Sequence, residues 1–361
     1  MENYPQWNLP EQAKARLGKG GAWSMQFTPD GTQLVLSSST GVWFYDVKTG
    51  KELSLFTGKR GTLAFSPDGR FLANGGDQFQ LWEIATQREV LLQSEFPDTN
   101  ALRFSNDSKT LVCLGDRGEK IYRYDVETGN RTEIKLQKES TDLHLTNIAL
   151  AEGKIAIGNR DGRLELWDTY TGEKLTTLRE MGKKDIVINY FNETNHAITL
   201  EFSPDGTRIA SGNLDTTIQI WDTTSGEELH VLQKAMPDSN MWFVSGIEDG
   251  KEIVNNPMKE HRNERPSALA FSPDASLLAC GSEDSTVKLW HTITGELIAT
   301  FTGHLSNVHQ LTFSPDGNIL ASGSSDGTVR FWDIETKQAQ QTRITGHMWI
   351  RTASFLGMGL S

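Results

Sequence analysis

Short β-type runs separated by turn residues recur along the chain, and the clearest instance lies between Gly303 and Asp333. Three runs, Val308–Phe313, Ile319–Ser322 and Thr328–Trp332, are punctuated by Pro315-Asp316-Gly317 and then by Ser325-Asp326-Gly327. Each junction holds the Asp and Gly that tight turns need. Apolar residues fall on both faces of these runs, as in Val329, Phe331 and Trp332. A sheet built from them has to be covered on both sides.

The same unit repeats. Its aromatic-acidic ending recurs as Tyr45-Asp46, Trp82-Glu83, Tyr124-Asp125, Trp167-Asp168, Trp221-Asp222, Trp290-His291 and Trp332-Asp333, at spacings of 37, 42, 43, 54, 69 and 42 residues. The turn after the first run gives a second register: TPDG from Thr28, SPDG from Ser66, SNDS from Ser105, SPDG from Ser203, SPDA from Ser272 and SPDG from Ser314. The fourth unit has a shortened Ala151-Glu152-Gly153 there. Two registers thus agree on seven units, and three of the six spacings sit at the ~40–45 residues expected for a propeller blade.

Gly-His, Ser-Pro-Asp-Gly, Asp and Trp-Asp in fixed order resemble WD40 repeats, here taken as the bacterial type, over nearly the whole chain. The resemblance implies an all-β fold: a seven-bladed β-propeller of four-stranded antiparallel blades around a central channel. Eight blades with an incomplete last one is the alternative. Carried over residue by residue, it also implies a buried hydrogen-bonded chain in the seventh unit through His304, Ser322, Asp326 and Trp332. The sixth unit has Cys280 at the Ser position and His261 one residue out of register. The fifth keeps Ser211, Asp215 and Trp221 without a matching His, and the fourth keeps Asp161 and Trp167. The first three units lack a clean set, so apolar packing is expected to hold them.

Residues 1–12 read as an irregular lead, 13–345 as one propeller, and 346–361 as the start of a further, unfinished repeat. Two segments compete for the outer strand of the last blade, Ala13–Leu17 from the other end of the chain and Gln340–Thr345 locally. Insertions fall near 179–196 and 233–265. In the second, apolar runs at Met241–Val244 and Ile253–Val254 flank Asp249-Gly250, a hairpin signal.

The net charge of −12 argues against nucleic acid or an anionic membrane surface as partner. No run approaches a membrane span or a secretion signal, and the expected location is cytoplasmic. Cys113 and Cys280 lie inside β-type runs and read as buried thiols rather than a disulfide. The eight His are scattered, without H-E-x-x-H or paired C-x-x-C, so no metal, cofactor or catalytic residue is assigned. A His, an Asp and a Ser also make up a hydrolase triad, but the repeat accounts for all three here.

What remains is surface. Trp242, with Met241 and Phe243, stands in an insertion with little core of its own. Arg160, Leu214, Glu283 and Ser325 precede the turn aspartates, and the resemblance puts them on one face with Arg262 and Arg265. These are the candidate partner-binding residues, Met, Trp and Arg being usual anchors of recognition surfaces. The expected function is a non-enzymatic protein-protein interaction scaffold presenting that face to a protein or peptide, oligomeric state open. Two alternatives stand beside it: an enzyme or small-ligand binder using the central channel, and a structural segment of a larger multidomain protein.

Overall fold

The computed structural model describes residues 13–17, 22–57, 61–75, 79–93, 101–115, 120–137, 145–159, 162–180, 197–233, 244–248, 251–255 and 264–345. Strand β1 is Ala13–Leu17. Blade 1 is β2 (Ala22–Phe27), β3 (Gln33–Ser38), β4 (Gly41–Asp46) and β5 (Glu52–Phe56). Blade 2 is β6 (Thr62–Phe65), β7 (Phe71–Gly75), β8 (Phe79–Glu83) and β9 (Arg88–Gln93). Blade 3 is β10 (Leu102–Phe104), β11 (Thr110–Gly115), β12 (Lys120–Asp125) and β13 (Arg131–Lys135). Blade 4 is β14 (Leu145–Ala151), β15 (Lys154–Asn159), β16 (Leu164–Asp168) and β17 (Lys174–Arg179). Blade 5 is β18 (Ala197–Phe202), β19 (Arg208–Asn213), β20 (Ile218–Asp222) and β21 (Glu228–Gln233). A two-stranded hairpin follows, β22 (Val244–Glu248) with β23 (Lys251–Asn255). Blade 6 is β24 (Pro266–Phe271), β25 (Leu277–Ser282), β26 (Val287–His291) and β27 (Leu297–Phe301). Blade 7 is β28 (Val308–Phe313), β29 (Ile319–Ser324), β30 (Thr328–Asp333) and β31 (Gln338–Thr345).

The fold is the expected seven-bladed propeller of four-stranded antiparallel sheets. Each blade is a meander, and each inner strand packs beside the inner strand of the next blade. β28 packs beside β2, which closes the ring. The seams are apolar. Between blades 7 and 1, Phe331, Val329 and Ala321 meet Met25, Phe27, Leu34 and Leu36, and the Gln310 amide donates to the Trp23 carbonyl at 3.0 Å. Trp82, Trp167, Trp221, Trp290 and Trp332, the repeat-ending residues, are all buried. Both cysteines are buried free thiols. No described helix is long and apolar enough to cross a membrane.

The recurring turns explain the recurring letters. In blade 2 the Ser66 hydroxyl donates to Asp68 at 2.6 Å and accepts the Phe71 amide at 2.9 Å. The same Asp68 accepts the Arg70 amide at 3.0 Å, so Ser-x-Asp satisfies the turn's own backbone. The Asp of the repeat ending caps the next turn in the same way, as Asp333 does for the Thr336 amide at 2.7 Å. The last residue of the first turn is left-handed, with φ of 69° at Gly31, 67° at Gly206 and 74° at Gly317. Blade 6 holds Ala275 there, at φ 58°. An L side chain is strained in that region. Ala275→Gly should therefore raise stability by about 0.5–1 kcal/mol, measured by urea denaturation. An unchanged or lower midpoint would refute that account of the turn.

The competition expected between two segments for the outer strand of the last blade has a different outcome. Ala13–Leu17 and the local segment do not exclude one another. β31 pairs antiparallel with β30 as the fourth strand, and β1 adds outside it as a fifth, parallel to β31, with Arg16 opposite Ile344. A strand joined to β30 by a four-residue turn closes a far shorter loop than one from the other terminus, so it takes the inner place. The inserted hairpin forms as expected, β22 with β23, Glu248 opposite Lys251. Met241, Trp242 and Phe243 lie outside the described residues, as do Arg160, Asp161, His261 and Arg262.

Candidate functional site

Alternation within a meander puts the connection between blades and the turn between second and third strands on one face. On blade 7 that face is held by the buried chain. The Trp332 indole N–H donates to the Ser322 Oγ at 2.8 Å, and the Ser322 hydroxyl lies 2.7 Å from the His304 Nε2. The His304 Nδ1 lies 3.0 Å from the Asp326 Oδ2. Asp326 also accepts the Leu305 amide at 2.8 Å, the Thr328 amide at 2.8 Å and the Thr328 hydroxyl at 2.6 Å. A neutral imidazole protonated at Nδ1 lets every donor in this row point the same way, from indole to carboxylate. Burial pushes His304 below its ordinary value against the pull of Asp326. Burial alone would raise Asp326, but hydrogen bonds and charge from His304, with Thr328 and the Leu305 amide, hold it down at about 2.

The chain thins out in other blades for a legible reason. In blade 5 the Trp221 N–H still reaches the Ser211 Oγ, at 3.3 Å. Blade 4 has Ile157 at that position, and the buried Trp167 N–H has no partner among the described residues. Arg179, at the end of β17, supplies the missing polar link at that end of the blade 4–5 seam. Its guanidinium donates to the Gly162 carbonyl at 2.7 Å and the Asn213 Oδ1 at 2.9 Å. Between blades 5 and 6, Gln233 donates to the Thr216 carbonyl at 3.0 Å and accepts from Lys288 at 3.0 Å. Nothing in the repeat pattern marks Arg179 or Gln233, because each acts between units rather than within one.

Of the proposed surface residues, the structure brings Arg265 and Glu283 together within blade 6, and places Ser325 in the equivalent turn of blade 7. The Glu283 amide donates to the Arg265 carbonyl at 3.0 Å, and the Ser325 amide to the Asn307 carbonyl at 2.9 Å. Each turn is thereby stitched to the connection that enters its own blade. Leu214 is a correction: it is buried, as an apolar side chain in a turn is when a neighbouring surface can cover it. Sequence reasoning missed Leu305. It follows the network histidine in a connection rather than a strand, and it is 78% exposed while Asp326 holds its backbone in place.

The inner strands carry three titratable side chains among the described residues, Arg103, Glu201 and His309. Burial pushes Glu201 up to about 7, opposed by the charge of Arg103, and burial pushes His309 down. Arg103 and Glu201 directly precede the strand-ending Phe104 and Phe202, whereas His309 is four residues before Phe313. That offset of three residues is about 10 Å along the strand. No group of three or more His, Cys, Asp or Glu suited to a metal ion occurs among the described residues.

Three stretches, 189–222, 254–291 and 295–333, match the family model described as WD domain, G-beta repeat. Mitochondrial division protein 1 of Saccharomyces cerevisiae is 26% identical over 232 residues, covering 62% of this chain and 31% of that protein. Protein tipD of Dictyostelium discoideum is 25% identical over 269 residues, covering 66% of this chain and 41% of its own length. The guanine nucleotide-binding protein subunit beta of Solanum tuberosum is 25% identical over 334 residues, covering 80% of this chain and 83% of that protein. The chain thus spans well under half of the first two, and these eukaryotic relatives lend nothing to the narrower bacterial type. The matched repeats fall on blades 5 to 7, and the same four-stranded unit is built into all seven blades, so the chain is similar to WD40-repeat proteins in both those stretches and its architecture.

Proposed function

We propose that the protein is a non-enzymatic interaction scaffold that presents the face carrying Leu305, Ser325, Glu283 and Arg265 to a protein or peptide. The observation that carries this reading is Leu305, a large apolar side chain almost fully in water on a backbone fixed by a buried carboxylate. An exposed apolar anchor on a fixed backbone loses little conformational entropy when it is covered. The name of the potato relative supports the reading, since it describes a subunit, a chain that assembles with others. The channel reading is weaker, because acid–base work needs a donor and an acceptor within reach of one substrate. Arg103, Glu201 and His309 do not stand at one level.

The test is affinity capture with the wild-type chain, Leu305→Glu, Trp242→Ala/Phe243→Ala, and Ile293→Glu on the opposite face. Proteins lost with Leu305→Glu but kept with Ile293→Glu are the expected result. Identical partners for Leu305→Glu and wild type sink the proposal. The double variant shows whether the insertion shares the surface.

A further inference from the structure

On the face opposite Leu305, blade 3 breaks two rules, the first kept by all six other blades and the second by five of them. The third-strand residue facing the next blade is a buried apolar side chain in the others: Phe44, Leu81, Leu166, Ile220, Leu289 and Phe331. Blade 3 has Arg123 there. The prolines of the first turns fill the gaps between neighbouring turns, as Pro315 does against Gly31, where an added Cβ would come within 3.3 Å of the ring. Blade 3 has Asn106 in place of that proline, and blade 4 has the shortened turn with Glu152. A notch opens where both rules fail, lined by Ser105, Asp107, Thr110, Arg123, Glu152 and Tyr170.

The notch is built rather than slack. Tyr170 is 52% exposed, yet its hydroxyl donates to Glu152 at 3.0 Å, and Glu152 in turn accepts the Asn106 amide at 2.9 Å. Gly153 lies against the ring on its own side, where a Cβ would come within 3.3 Å. The Arg123 guanidinium lies over the ring, 4.0 Å from its centre. That guanidinium has no hydrogen bond or ion pair to any described residue, so its N–H fork is held over the tyrosine and bonded to none of them. Across the notch, Asp107 spends Oδ1 on the Ser105 hydroxyl and the Lys109 amide, and no described donor reaches Oδ2.

We propose that this notch is a second recognition site, for a partner peptide segment that presents an acidic and a basic side chain side by side. The acid takes the Arg123 fork and the base takes Asp107. Covering the notch strips water from both groups. A purely acidic segment leaves Asp107 uncompensated and a purely basic one leaves Arg123 uncompensated, and a covered charge without a partner is unfavourable. Only a segment of both signs satisfies both.

The experiment titrates the whole chain, carrying isotope-labelled tyrosine, with three capped peptides: acetyl-Gly-Glu-Lys-Gly-amide, its Glu-Glu counterpart and its Lys-Lys counterpart. The ring resonance of Tyr170 is followed. The mixed peptide should bind about tenfold tighter than either other, as a bidentate charge-assisted pair allows. Arg123→Leu installs the residue type found at this position in other blades, so it should fold at least as stably and should erase the preference. Equal binding of the three peptides, no response to the mixed one, or unchanged binding by folded Arg123→Leu would each overturn the assignment.

Discussion

Replacing Asp326 with alanine lowers the unfolding free energy by roughly 2–4 kcal/mol, the largest effect expected of any polar substitution in the chain. The carboxylate satisfies the His304 ring, the Leu305 and Thr328 amides and the Thr328 hydroxyl. Alanine leaves those donors buried or half-buried without an acceptor, and the row running back to Trp332 loses its end. The same site dictates a pH dependence. Asp326 is held down at about 2, so its contribution is present above the ordinary carboxylate value and is lost as pH falls toward 2. His304 is also depressed, so the unfolded chain takes up its proton first, and stability begins to fall as pH drops below the ordinary imidazole value. Both slopes have the same sign. Denaturation followed from pH 7 to pH 3 should show the loss in wild type, and Asp326→Ala should lack the part of it that lies below the ordinary carboxylate value. Equal midpoints for the two proteins at pH 7 would contradict the account.

Phe331→Ala should cost about 3–5 kcal/mol, because the ring fills the seam that joins the last blade to the first. It packs edge-on to Phe27, with centroids 6.3 Å apart, among Met25, Leu34 and Leu36. Deleting residues 1–17 should cost far less, about 1 kcal/mol or below, since β1 is an edge strand outside a blade that is already four strands wide. Calorimetry of the two variants separates the possibilities. If the deletion proves the more damaging, closure rests on the terminal strand and not on the apolar seam.

The blade unit was legible because its letters answer local physics: Ser-x-Asp closes a turn on itself, and the repeat-ending aromatic fills the space between sheets. Those forces act within a few residues. The order of the outermost strands was not legible, because Ala13–Leu17 and the residues before Gly346 both read as strands and only loop length ranks them. Leu214 misled because the direction of a turn side chain depends on what neighbours it. Leu305 and Arg123 were overlooked for opposite reasons. One is apolar where a connection is expected to be polar, and the other is polar where six sister blades are apolar. Each is visible only when the units are superposed in space.

Since β31 follows β30 directly, the four strands of every blade are consecutive in the chain, and β1 only adds outside the last of them. Every four-stranded petal is one uninterrupted piece of polypeptide, and the circle is made whole by lateral contact between petals, with β1 laid along β31 as the one backbone pairing across the join. Synthesis on the ribosome can then finish each petal as it emerges, with a single late event in which the seventh finds the first. The same arrangement allows new ends to be opened between any two petals, once the old ends are joined, without splitting a sheet.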